Sequence, residues 1–157
     1  MNPAPIKPLI STSDLDKIDV RVGTILAVED VAHSEKLVRL RVDFGDHARS
    51  ILVGMKKERP SPKEIEGRQA LFVVNLAPRK VAGEISEGLL FDIGHADEIT
   101  PVLAQPDRPV PNGTARAEGP MERLLSFAKL PMKSDGEAPS EPGAATCSAE
   151  SGPTMLT

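Results

Sequence analysis

The sequence predicts an all-β fold: a small five-stranded barrel with one short helix between its third and fourth strands, followed by a C-terminal extension. Three observations carry this. Apolar and polar residues alternate over 38–44 with the two-residue period of a half-buried strand. Short runs of this kind recur, separated by Gly-, Asp- and Pro-bearing turns. One helix-start pattern, Ser61-Pro62-Lys63-Glu64, falls between them.

In chain order, Ile18, Val20 and Val22 alternate with Asp19 and Arg21 and make a first strand. Gly23 interrupts it and residues 25–28 continue it, so Gly23 is expected to be a bulge of the kind that bends small barrels. The second strand places Val38, Leu40, Val42 and Phe44 on one face, with Arg39, Arg41 and Asp43 on the other. Gly45 and Asp46 mark a turn, and residues 49–53 return as a third strand in a hairpin. Ser61 is expected to cap a short helix, with Pro62 at its first position and Glu64 closing a capping box; Gly67 ends it. Residues 69–76 (QALFVVNL) are apolar enough for a central fourth strand. Residues 88–93 (GLLFDI) form a fifth, and residues 100–103 a short sixth. Three strands, a short helix and two strands is the order of the Greek-key barrel called the OB-fold, although a generic small barrel would show the same pattern.

A length of 157 residues fits one domain with a tail. The barrel pattern occupies residues 14–117. Residues 118–130 contain a candidate short helix in which Met121, Leu124, Leu125 and Ala128 share one face. It is too short to stand alone and would need a surface to dock on. Residues 131–157, rich in Pro, Gly, Ser and Ala and acidic in balance, read as a disordered tail. The one cysteine, Cys147, lies there and is read as incidental. It excludes an intramolecular disulfide framework and a multi-cysteine zinc site, and it fits a reducing cytoplasm. No apolar run approaches the roughly 18 residues of a membrane span, and residues 1–10 show no signal-peptide pattern.

The formal net charge of −4 hides an asymmetry. Residues 33–80 hold eleven Lys/Arg against six acids, while the flanks and tail are acidic. A basic middle can draw a polyanion to one face of a mildly acidic chain; a solvated surface of mixed charge is the plainer reading. Four Phe with no Tyr or Trp argue against binding single strands by stacking bases on aromatic platforms. His33, His47 and His95 have no metal spacing, and no Ser–His–Asp set, P-loop or dinucleotide turn appears. No catalytic residue, metal or cofactor is therefore assigned. Asp14, Asp16, Asp19, Glu29 and Asp30 read as a solvated acidic edge.

Four segments taken together, IDVRVGTILAVEDV (18–31), SEKLVRLRVDFG (34–45), VVNLAPRKVAG (73–83) and SEGLL (86–90), resemble the dimeric tRNA-binding domain family. That family includes a free-standing structure-specific tRNA-binding protein and the C-terminal domain of bacterial methionyl-tRNA synthetases; CsaA-like export chaperones share the superfamily. The resemblance covers about residues 14–117 and implies an OB-fold, a homodimer and recognition of tRNA by shape. The family's tRNA contacts match Ser34, Glu35 and Lys36, then Asn75, Arg79 and Lys80, then Ser86, Glu87, Gly88 and Leu89. Arg39 and Arg41 extend the basic strip along the second strand. Lysine and arginine supply charge and forked donors to phosphates, and Asn75 and Ser86 can bond a phosphate, a ribose 2′-OH or a base edge. Glu87 would orient Arg79 or Lys80, or accept from a 2′-OH or base amine. Asn75, Pro78 and Gly88 can equally be residues that only build barrel turns.

Two departures stand out. Leu89 replaces a frequent Met, and Val53-Gly54-Met55 replaces a commoner Ala-Gly-Ile. The implied function is non-catalytic tRNA binding in the cytoplasm, assisting an aminoacyl-tRNA synthetase in trans. The alternative is a CsaA-like chaperone taking extended peptides during export. Residues 99–117, too apolar and Pro-rich for a free tail, are expected to lie across a partner subunit of the dimer.

Overall fold

The computed structural model describes residues 3–116. The candidate helix at 118–130, the tail at 131–157 and Cys147 lie outside the described residues. The architecture is all-β, a curled antiparallel sheet in the order β3-β2-β1-β4-β7. Its strands are β1 (Val20–Asp30), β2 (Val38–Asp43), β3 (Ala48–Val53), β4 (Gln69–Val73) and β7 (Leu89–Leu90). Two small ribbons are added to it: β5 (Arg79–Val81) with β6 (Glu84–Ser86), and β8 (Asp92–Ile93) with β9 (Val102–Leu103).

The expected alternation in the second strand is present: Val38, Leu40, Val42 and Phe44 are buried, and Arg41 is exposed. They meet Ile25, Ile51, Ile65 and Phe72, all fully buried, in a single core. Phe44 and Phe72 pack edge to face with ring centroids 5.6 Å apart. The β2–β3 hairpin turns at Gly45, whose φ of 96° suits glycine.

Gly23 is not a bulge. It stays in the ladder opposite Ala70. A Cβ there would come within 2.5 Å of Val42 Cγ1 and 2.9 Å of Phe44 Cε1, so the glycine leaves room for core side chains of the neighbouring strand. The irregularity falls at Leu26, between Ile25 and Ala27 in the β1–β2 register. Backbone groups around it find partners in the connection before β4. Gly67 N–H donates to the Ile25 carbonyl (2.7 Å), Ile25 N–H to the Arg68 carbonyl (2.9 Å) and Val28 N–H to Glu66 Oε1 (2.9 Å).

The expected helix after Ser61 is a single 3-10 turn, Pro62–Ile65, and its capping box is not made. Glu64 instead accepts from Arg59 Nη1 at 2.6 Å. Pro60, Pro62 and Gly67 leave too few residues for an α-helix, and the short turn still delivers Ile65 to the core. A capping box does form near the N-terminus. Ser11 is the N-cap of α1 (Thr12–Leu15) and Asp14 its third residue, and the Lys17 ammonium with the Ser11 hydroxyl holds the Asp14 carboxyl below its ordinary range.

The expected fifth strand is split at Phe91. Its N–H donates to the Leu71 carbonyl, while its own carbonyl accepts from Ala104 N–H, so the chain changes partner there. Residues 102–116, most of the 99–117 segment expected to lie across a partner subunit, return along the same barrel. Gly113 N–H donates to the Val22 carbonyl (2.8 Å) and Arg116 N–H to the Val20 carbonyl (2.8 Å). Gln69 clamps both backbone groups of Val110, and Asn112 joins Thr24, Gln69 and Asp43. Amide side chains make the bonds that a Pro-rich backbone cannot donate.

The open side of the sheet is closed by polar side chains. Glu87 N–H donates to the Ser50 carbonyl, and Ser50 N–H to Glu87 Oε2, both at 2.9 Å. Ser86 Oγ accepts from Leu52 N–H and donates to the Gly88 carbonyl, both at 3.1 Å. Two outcomes follow in chemical denaturation. Gly23→Ala is expected to cost about 1–3 kcal/mol through overpacking against Val42 and Phe44. Ser86→Ala is expected to cost roughly 1–3 kcal/mol by leaving Leu52 N–H without its acceptor. An unchanged midpoint would contradict either assignment.

Candidate nucleic-acid interface

In an OB-fold the ligand face is the outer surface of strands two and three with the loops at their ends. The corresponding surface here is β2 and β3, the β1–β2 loop (residues 31–37) and the connection from β4 to β7, which carries the β5–β6 ribbon.

The β1–β2 loop is built by Ser34. Its Oγ accepts from Lys36 N–H (3.3 Å) and Leu37 N–H (3.1 Å), a side-chain turn that presents Glu35 and Lys36 outward. Lys56, which sequence reasoning did not place at the site, bonds the Ser34 carbonyl (2.8 Å) and pairs with Asp30 (2.5 Å). Lys57 faces Glu35 at 3.5 Å. The GMKK stretch after β3 therefore brings Lys56 and Lys57 against this loop.

Arg39 and Arg41 point outward because Leu40 and Val42 point in. They differ in employment. Arg39 Nε bonds Glu29 Oε2 at 2.7 Å and its Nη1 bonds Glu84 Oε2 at 2.8 Å, tying β1, β2 and the ribbon together. The Glu29 hydrogen bond, with the charge of Glu84, holds the guanidinium above its ordinary range. Arg41 is exposed, with no hydrogen-bond or ion-pair partner among the described residues. Glu29, Arg39, Arg41, Ser50 and Glu87 border a shallow cleft of about 330 Å³.

The β5–β6 ribbon was not expected from the sequence. Its turn, Ala82-Gly83, has positive φ at both central residues (50° and 85°), the requirement of a two-residue type I′ hairpin. The signal was a Gly at the second turn position, without the Asn or Asp that usually precedes it. The ribbon raises Arg79 and Lys80 into solvent, again without partners among the described residues. Ile85, directly across from Lys80, is also exposed.

The remaining residues singled out from the sequence are occupied by the framework. Asn75 Oδ1 accepts from Asp19 N–H (2.9 Å) and its Nδ2 donates to the Lys17 carbonyl (2.6 Å), fixing the entry to β1. Ser86 and Glu87 close the barrel, as above. Gly88 sits where a Cβ would lie 3.0 Å from the Val73 carbonyl oxygen. Leu89 is half-exposed on β7 beside Val73. The acidic edge is not merely solvated: Asp14, Asp19, Glu29 and Asp30 pair with Lys17, Arg21, Arg39 and Lys56. Among the described residues, no group of three or more His, Cys, Asp or Glu side chains is placed to hold a metal ion. No described helix is long and apolar enough to cross a membrane.

A family model described as "Putative tRNA binding domain" matches residues 20–115. The chain is 41% identical over 91 residues to a methionine–tRNA ligase of Chlorobium chlorochromatii, which covers 58% of this chain and 13% of that one. It is 45% identical over 87 residues to the corresponding ligase of Chlorobium luteolum, covering 55% and 12%. It thus spans a small part of the length of these curated relatives. Among solved structures it is similar to a MetRS-related protein from Pyrococcus horikoshii, with TM-score 0.65, 32% identity, and 71% of this chain and 100% of that chain covered. It is also similar to the CsaA chaperone from Picrophilus torridus, with TM-score 0.61, 28% identity, and 69% and 100% covered. The curled β-sheet and the family match over residues 20–115 together show that the chain belongs to the tRNA-binding domain family.

Proposed function

We propose that this chain is a non-catalytic, structure-specific tRNA-binding module that works as a homodimer in the cytoplasm and assists an aminoacyl-tRNA synthetase in trans. The observation that carries the reading is the division of cations on one side of the barrel. Arg39 and Lys56 are held by carboxylates, whereas Lys36, Arg41, Arg79 and Lys80 are exposed with no partner among the described residues. The four come from the loop before β2, from β2 itself and from the ribbon before β7. The sheet ladders, with the Ser86 and Glu87 bonds that close the open side, keep those elements at fixed separations. Recognition then depends on whether phosphates of a folded RNA stand at matching positions, which suits tRNA shape and needs no base stacking. Lys36 and Lys80 act as point charges, while Arg41 and Arg79 can fork two donors to one phosphate. Ser34, Asn75, Ser86 and Glu87 act by positioning these elements, and Leu89 gives apolar contact at the rim. Two copies would offer two such faces to one tRNA.

The second reading, a CsaA-like chaperone for extended export peptides, is favoured by the similarity to CsaA along that protein's whole length. Salt separates the two. Binding of folded tRNA, followed by fluorescence anisotropy over a salt series, is expected to exceed that of an unstructured RNA of equal length. Affinity is expected to fall steeply with salt. Arg79→Ala/Lys80→Ala is expected to lower affinity about tenfold or more and to flatten the log–log salt slope by roughly 1.5, with no change in unfolding midpoint. A flat salt response with no preference for folded RNA, beside retained peptide affinity, would transfer the assignment to the chaperone reading.

A further inference from the structure

Of the chain's three asparagines, Asn112 alone is followed by glycine. In an Asn-Gly pair no side chain on the second residue hinders attack of its backbone nitrogen on the asparagine Cγ, so the intramolecular reaction is easy once the two atoms can meet. The fold requires this pair. Gly113 has a φ of 84°, and a Cβ on it would collide with the Phe44 carbonyl oxygen. Asn112 Oδ1 accepts from Thr24 Oγ1 (2.7 Å) and Gln69 Nε2 (2.9 Å), and its Nδ2 donates to Asp43 Oδ2 (3.0 Å). The same bonds shield it. They fix the carboxamide to β1, β2 and β4, while Gly113 N–H is committed to the Val22 carbonyl at 2.8 Å. Nucleophile and electrophile are each bonded elsewhere, so attack needs the segment to leave the barrel first.

The segment is built to leave at low cost. Residues 105–116 include no buried residue, and Pro106, Pro109 and Pro111 donate no backbone hydrogen bond, so polar contacts do most of the holding. We propose that Asn112–Gly113 is a spontaneous deamidation site gated by the docking of residues 110–116. After undocking, the Gly113 amide gives its proton to water or hydroxide and its nitrogen bonds to Asn112 Cγ. The Cγ–Nδ2 bond breaks, and the amide group takes a proton from solvent and leaves as ammonia, closing a succinimide. One water then opens the ring at either carbonyl, giving aspartate or isoaspartate. The net change is amide plus water to acid plus ammonia, with no oxidant or reductant. Neither product docks as before. Aspartate replaces the Nδ2–H donor with a carboxylate oxygen facing the Asp43 carboxylate. Isoaspartate routes the main chain through the side chain, which carries Gly113 N–H away from the Val22 carbonyl. The change is therefore one-way, and it is independent of what binds the cationic face.

Peptide mapping by mass spectrometry, during incubation of the full chain at mildly alkaline pH, tests it beside the unlinked peptide PVPNGTAR (109–116). Asn112 is expected to deamidate in both, about tenfold or more slowly in the full chain. Hydrogen exchange is expected to give the Gly113 amide the same factor of protection, because one opening governs both reactions. Gln69→Ala is expected to raise the two rates together; Thr24→Val, which removes a single donor to Asn112, serves if circular dichroism shows that Gln69→Ala loses the fold. Asn112→Asp is expected to lower Gly113 protection, and Asp43→Asn/Asn112→Asp, which exchanges donor and acceptor, to restore most of it. Equal deamidation in chain and peptide would overturn the gate. Deamidation slower than the Gly113 protection allows, or unmoved by a variant that speeds Gly113 exchange, would show that attack does not follow undocking and would overturn the proposal. Unchanged Gly113 protection in Asn112→Asp would overturn the one-way release.

Discussion

The eleven residues of β1 have to serve three neighbours. Val20 to Thr24 pair with β4, Thr24 to Asp30 pair with β2, and the first part also accepts the returning chain at Gly113 to Arg116. One strand can do this only if it bends out of one pairing and into the next. Gly23 gives the clearance at the crossing, where Val42 and Phe44 come close. Leu26 takes the register shift. The 3-10 turn and its following residues satisfy the backbone groups left over, through Gly67, Arg68 and Glu66. The core and the closure at Ser86 follow from that bend.

The polar residues of the cationic side divide by task. Ser34, Asn75, Ser86 and Glu87 spend their hydrogen-bonding groups on backbone N–H and carbonyl partners. Buried backbone groups need such partners wherever the ladder is interrupted. Arg39 is neutralised on two sides and acts as a cross-brace. What remains for a polyanion is a small set of cations whose separations are set by that framework. A motif that couples Asn-Leu-x-Pro-Arg-Lys to Ser-Glu-Gly thus joins scaffold residues to cationic ones in a single stretch of chain.

The sequence made the regular parts legible. Strict alternation from Val38 to Phe44, the Gly45 turn and the return through β3 are local patterns with one physical solution. The family resemblance extended that to the fold. What stayed hidden depended on contacts distant in sequence. Gly23 has the same local appearance whether it is a bulge or a clearance, and only Val42 and Phe44 decide. Ser61 and Glu64 have the spacing of a capping box, but Arg59 competes for Glu64 and the flanking prolines leave room for one turn. The β5–β6 ribbon was missed because Ala82 is an unusual residue for a left-handed turn position. The return of residues 102–116 along the barrel was hidden because their partners there, Gln69, Val22 and Val20, lie far back in the chain. At the candidate site, residue type singled out Arg39 and Arg41 alike and could not tell them apart; the Glu29 and Glu84 carboxylates make that difference.

The type I′ ribbon sets up a gradient of local stability. Ala82 holds a conformation that costs a non-glycine residue about 1 kcal/mol or more, in a ribbon of only three residues per strand. An isolated two-stranded ribbon is marginal in water, and this one is moored chiefly by the Arg39–Glu84 pair and by Ser86. Its amide hydrogens will exchange through openings far cheaper than those of β1 and β2. The two groups of cations are therefore mechanically unequal: Arg41 is a fixed point on the barrel wall, while Arg79 and Lys80 ride on a flap that yields first. Under the proposed function, a rigid RNA would be registered by the wall and then closed upon by the flap.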